Sequence, residues 1–125
     1  MAEQEALKPL DFIGSSREDL REFPDDVKQD IGYALFEAQK GRKSEAAKPL
    51  KGFGGAGVLE IIERFDGDTY RVVYTVKFQE VVYVLHCFQK KSKSGIKTPQ
   101  QDLELIQRRL RTAEADHNAH DQRGD

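Results

Sequence analysis

A chain of 125 residues, 38% hydrophobic and 34% charged, suffices for one polar domain, and none of its apolar runs approaches the ~18 residues that cross a bilayer. Cys87 stands alone, so a disulfide framework within the chain is excluded, and its place in an apolar run reads as packing. The net charge of −2 conceals a division into −5 over residues 1–40, +6 over 41–111 and −3 over 112–125, a basic body between acidic ends to which a phosphate-rich partner would be drawn.

Residues 1–9 carry no basic stretch followed by an apolar one, so the expected location is the cytoplasm, with no membrane partner. "LDFIG" predicts a short strand. In "SSREDLREF", Ser15 with Glu18 three residues on predicts a capping box and a short helix. A longer helix follows in "PDDVKQDIGYALFEAQKG": Val27, Ile31, Ala34, Leu35 and Ala38 recur at helical spacing, Asp25 and Asp26 suit the first turn, and Gly41 can close the end. The stretch "RKSEAAKPLKGFGGAG" is punctuated by Pro and Gly and reads as a loop. It lacks the GxxxxGK[ST] order of a phosphate-cradling loop.

Three β-rich runs come next, "VLEIIERF", "TYRVVYTVKF" and "EVVYVLHCFQ", joined around "DG" and "QE", which predicts an antiparallel meander. Thr98, Pro99 and Gln101 then read as N-cap, first-turn proline and capping-box partner. The closing helix carries Leu103, Ile106, Leu110 and Ala113 inward and ends near residue 116. The tail after it, with His117 and His120, reads as frayed and inert. One domain over residues 1–125, with a core of about 10–115 and flexible ends, is the expectation.

Two-residue turns at both hairpins set the register: Ile62 opposite Arg71, Val73 opposite His86, Arg71 opposite Phe88 and Thr69 opposite Lys90. One face then holds Leu59, Ile61, Tyr70, Val72, Tyr74, Val81, Tyr83, Leu85 and Cys87, and should carry the helices. The other collects Glu60, Ile62, Arg64, Arg71, Val73, Val84, His86, Phe88 and Lys90. Each charge there also fits a bland role: Arg64 with Glu60 an exposed ion pair worth ~0–1 kcal/mol, His86 a hydrogen-bonded structural histidine, the lysines a solvated edge. Their convergence from separate strands onto one face favours a phosphodiester site, because arginine clamps phosphate oxygens and an aromatic ring stacks a base.

The order of these parts, with "EIIERFDGDTYRVVYTV", "VVYVLHCFQKKSK" and "KTP", resembles the RelE/ParE toxin superfamily and its HigB-like, phage-derived branch. The resemblance runs over about residues 10–115 and rests on Phe88, Lys90, Lys91, Lys97, Thr98 and Pro99 together with Glu63, Arg64, Phe65, Gly67, Tyr70 and Arg71. It implies an α+β fold, a small twisted antiparallel sheet with N-terminal helices and a C-terminal helix on one face. It implies a type II toxin held by a helix-turn-helix antitoxin and cutting mRNA on the ribosome, with neither metal, cofactor nor small-molecule substrate.

Carried over by position, Arg71 and Lys91 would stabilise the phosphate while Lys51 and Arg64 would position RNA, and Lys90, Lys93 and Lys97 of the cationic stretch would grip it. Several RelE-like members bear an essential tyrosine past the last strand, whereas here no tyrosine follows Tyr83 and Lys97 stands in that vicinity. His86, with an ordinary pKa of ~6.5, is the expected catalytic proton carrier, and a lysine lowered by neighbouring cations is the substitute for it. The alternative is a non-catalytic binder on the same fold, a gyrase inhibitor or a phage host-takeover module.

Overall fold

The computed structural model describes residues 6–55, 57–91 and 97–123, excepting the side chains of residues 91 and 121–123. Its elements are β1 (Leu10–Phe12), α1 (Ser16–Arg21), α2 (Asp25–Gln39), β2 (Ala47–Pro49), β3 (Val58–Phe65), β4 (Asp68–Thr75), β5 (Val82–Lys91) and α3 (Gln100–Arg123). The described strands form one sheet in the order β1-β5-β4-β3-β2, with β1 parallel to β5 and the other pairs antiparallel.

The expected α+β meander is therefore present as β3-β4-β5, extended by a short strand at each edge. Asp66 and Gly67 both hold positive φ, 55° and 86°, as a two-residue hairpin turn matched to strand twist requires. The β3–β4 register follows as predicted from Val58↔Thr75 to Phe65↔Asp68. β2 falls within the stretch expected to be a loop. Its Pro49 is tolerated because an edge strand can leave one backbone nitrogen without a ladder bond.

Between β4 and β5 the prediction holds only in part. Asp68↔Lys91 through Val73↔His86 are as expected, but Tyr74 pairs with Val84, so a bulge leaves Leu85 unpaired. The cause lies in the connection, where the chain takes residues 76–81 rather than two to fold Phe78 and Val81 inward. Phe78 meets Tyr83 edge-on at 5.4 Å.

The bulge exchanges faces. Val82 and Val84 now lie with Leu59, Ile61, Tyr70, Val72, Tyr74 and Cys87 under α2, whereas Tyr83 and Leu85 lie with Val73 under α3 through Ile106, Leu110 and Ala113. The helices consequently divide between the two faces instead of sharing one. Ile31 and Ile106 are each fully buried, worth roughly 1.5–3 kcal/mol apiece.

The junctions also differ from the sequence-based expectation. Ser15 caps nothing with its side chain. Its hydroxyl donates to the Asp19 carboxylate at 2.8 Å and accepts from Arg109 Nη2 at 3.2 Å. Arg109 Nη1 donates to the carbonyl of Leu85 at 3.0 Å, satisfying the bulge. Its guanidinium lies so near Gly14, where φ is 61°, that a Cβ there would come within 2.8 Å. Buried Ser16 donates to the Val84 carbonyl at 3.2 Å, pinning α1 where β1 gives way. α3 continues to Arg123, past the expected end near residue 116.

Candidate functional site

The three rows expected across the mixed face exist: Glu60, Val73 and His86; Ile62, Arg71 and Phe88; Arg64, Thr69 and Lys90. The first turn of α3 and the residues before it close over the first two rows. Arg71 is 0% exposed. Its Nη1 donates to Glu60 Oε2 and to Thr98 Oγ1, each at 3.2 Å, and the Thr98 hydroxyl donates to the same carboxylate oxygen at 2.9 Å. Thr98 is thus tied to the sheet instead of capping α3, whose start is marked by the Pro99 carbonyl accepting from Asp102 and Leu103. The Nε and Nη2 of Arg71 are buried without a hydrogen-bond partner. A guanidinium with five donors and so few acceptors is a costly thing to bury.

His86 is 7% exposed and hydrogen-bonds through Nε2 to Asp102 Oδ1 at 2.8 Å. Its ring stacks on Phe88, with centroids 4.5 Å apart and planes 18° from parallel. In the neutral ring that donates to Asp102, Nδ1 carries the lone pair, and it is buried without a partner. Nothing in the sequence marks Asp102, because only the packing of α3 across β5 brings it to His86. Beside the pair, a cavity of about 290 Å³ opens between α1 and β5, lined by Asp19, Glu22, Phe23, His86, Cys87, Phe88 and Gln89. Burial, reinforced by the charge of Asp19, pushes the Cys87 thiol up to about 12, which suits its packing role.

The third row lies open. Arg64 and Lys97 are exposed, while half-buried Lys90 donates through Nζ to the Lys97 carbonyl at 3.2 Å. Thr69 Oγ1 donates to the carbonyl of Lys90 at 3.3 Å and locks the end of β5 to β4. Exposed Lys48, absent from the sequence-predicted set, stands on β2 opposite Glu60 and therefore on the same side of the sheet. An alternating edge strand in the Pro-containing stretch was the signal that could have found it.

Lys51 is exposed but follows β2 at the Val58 end of β3, where the Leu50 amide bonds the Val58 carbonyl. At ~3.3 Å per residue the strand carries Arg64 about 20 Å from there, so Lys51 does not join the others. Lys91 ends β5 opposite Asp68, with its side chain outside the description, and Lys93 lies outside the described residues.

At the other end of α3, Tyr83 donates to Asp116 at 2.7 Å, and His117 bonds Glu80 at 2.9 Å while stacking on Phe78 at 4.4 Å. Burial and the Asp116 carboxylate push the Tyr83 phenol well above its usual range. A cavity of about 420 Å³ there is lined by Pro9, Asp11, Glu80, Val81, Tyr83, His117 and His120. Among the described residues no group of three or more His, Cys, Asp or Glu could hold a metal ion. No described helix is long and apolar enough to cross a membrane.

A family profile described as "Phage derived protein Gp49-like (DUF891)" matches residues 18–111. No curated protein sequence matches the chain. Among solved structures, isolated E. coli RelE toxin is similar at 28% identity and a TM-score of 0.54, over 70% of this chain and 87% of that one. An arginine-substituted mutant of E. coli RelE in the free state is similar at 22% identity and a TM-score of 0.54, over 85% and 97%.

Proposed function

This chain belongs to the phage-derived Gp49-like protein family, with the fold of the RelE/ParE-like toxin superfamily, and from that premise we propose that it is the toxin of a type II toxin–antitoxin pair, neutralised by a helix-turn-helix antitoxin, that cleaves mRNA on the ribosome. The observation that carries the reading is the corner where Arg64, Lys90 and Lys97 rim a buried Arg71 with two unsatisfied donors, beside a His86 oriented by Asp102.

In the proposed reaction the 2′-hydroxyl gives up its proton as its oxygen attacks the adjacent phosphorus, and the 5′ oxygen leaves with a proton. The products are a 2′,3′-cyclic phosphate and a 5′-hydroxyl. Arg64, Lys90, Lys97 and Lys48 grip phosphates at the rim. Arg71 and Lys91 offset charge on the phosphorane, and His86 carries the proton through the nitrogen that Asp102 leaves free. Lys93 belongs to the same basic run, whereas Lys51 would meet RNA at a distance from it.

One observation favours the second reading, a non-catalytic binder: Arg71 and His86 are both buried beneath the start of α3, so the rim alone faces solvent. Inducible expression in a bacterium with mapping of mRNA 5′ ends separates the two. New ends that disappear in Arg64→Ala/Lys90→Ala, a rim variant that leaves the core intact, and in His86→Ala, support the ribonuclease. Growth arrest without new ends supports the binder, and growth without arrest overturns the toxin reading.

A further inference from the structure

α2 presents a second surface, across the sheet from the cationic rim. Val27, Ile31, Ala34, Leu35 and Ala38 bury its inner side, which leaves Asp25, Gln29, Gly32, Tyr33 and Phe36 along the outer seam with Lys40 at its end. Two large aromatic side chains stand out there, Tyr33 at 66% and Phe36 at 39% exposure. Between them sits a residue that the chain by itself does not explain. Glycine weakens a helix interior, yet Gly32 has ordinary negative φ, and a Cβ added to it would meet nothing within 4 Å. The space above Gly32 is open.

The seam is also polar in a particular sense. Its beginning is acidic: Asp25, with a side chain 97% exposed, meets Lys28 at 3.4 Å, and Asp26 is exposed without a cation among the described residues. Its end is basic, with Lys40 lying 4.5 Å over the Phe36 ring and two cations, Lys40 and Arg42, flanking the single carboxylate of Glu37 at 3.8 and 3.7 Å. Laid antiparallel on itself about a two-fold axis, α2 places Tyr33 over Gly32, Gln29 against Phe36 and Asp25 against Lys40. Each of these pairs occurs twice, as an isologous contact demands. A parallel arrangement would set acid against acid.

We infer that α2 is a self-association surface, on which a second copy of this chain packs antiparallel with each Tyr33 ring filling the notch above the other's Gly32. A seam of 15 helical residues is about 22 Å long, short beside interfaces that bury ~800 Å² per partner, so the dimer is weak and concentration-dependent. The rim on the opposite face stays open in it, and the inference does not depend on the ribonuclease reading.

Sedimentation equilibrium of the full-length chain, prepared by cell-free synthesis and followed from about 10 μM to about 1 mM, should show monomer passing to dimer. Tyr33→Ala should weaken association about tenfold. Gly32→Leu, which fills the notch while favouring helix, should abolish it. Asp25→Lys should weaken it through repulsion from Lys40, and adding Lys40→Asp should restore it. A chain that stays monomeric overturns the inference and leaves the seam to a different protein. A dimer indifferent to Tyr33, Gly32 and the charge swap overturns it equally.

Discussion

The two ends of α3 meet the same sheet in opposite ways. At the far end the polar groups that touch the sheet find matched partners near solvent: Tyr83 with Asp116, His117 with Glu80, Lys77 with Glu114. At the near end Arg71, Glu60 and Thr98 share one carboxylate oxygen below the surface, and Arg71 Nε, Arg71 Nη2 and His86 Nδ1 remain unsatisfied. The far end is a fastening, in which removing one group should cost what an ordinary paired hydrogen bond costs. The near end holds its polar groups at an expense that folding does not recover, the pattern expected where binding or chemistry supplies the missing partners.

That contrast makes Glu60→Ala the most damaging single change, since it strands a fully buried guanidinium. A loss of about 3–5 kcal/mol is expected in denaturant unfolding, and a loss below about 1 kcal/mol would show that Arg71 reaches water and would break the comparison. Tyr83→Phe should cost only about 1 kcal/mol at the fastening end and leave RNA cleavage untouched. An effect of that change on cleavage would mean that the two ends are coupled along α3.

The smallest effect serves to isolate the others. Glu63, on the α2 face, is raised to about 7, first by burial and then by its hydrogen bond to Asp30 and the charge of that neighbour. The folded chain therefore holds a proton there that the unfolded chain, with a carboxyl near 4.5, has released. Its contribution is present below the unfolded value, and stability falls as pH rises from about 4.5 through about 7. Unfolding across that window should flatten in Glu63→Gln. An unchanged slope would remove Glu63 from the account.

The candidate site was legible in proportion to how locally it is determined. The "DG" turn fixes the β3–β4 register and so brings Arg64 and Arg71 to one face by turn length and alternation, whereas His86 and Lys90 reach that face because the bulge at Leu85 offsets the longer β4–β5 connection. Lys51 could not be placed from the sequence, because a loop lysine has no register. Asp102 was invisible because only the packing of α3 across β5 brings it to His86.

What the sequence determined by itself, then, is each element that carries its own period or turn: α2, the three long strands, the start of α3 to within two residues, and the family resemblance that those parts compose. What only the tertiary structure decided is the side of the sheet on which each long-range partner falls. Burying Phe78 and Val81 lengthens the β4–β5 connection and inserts Leu85 as a bulge. Because side chains alternate along a strand, one added residue turns Tyr83, Val84 and Leu85 over. That turn gives α3 an apolar surface opposite α2, and with it the lid of side chains under which Arg71 and His86 are held. No period in the sequence records such an exchange, since its cause is the volume of two loop side chains that the core can accommodate.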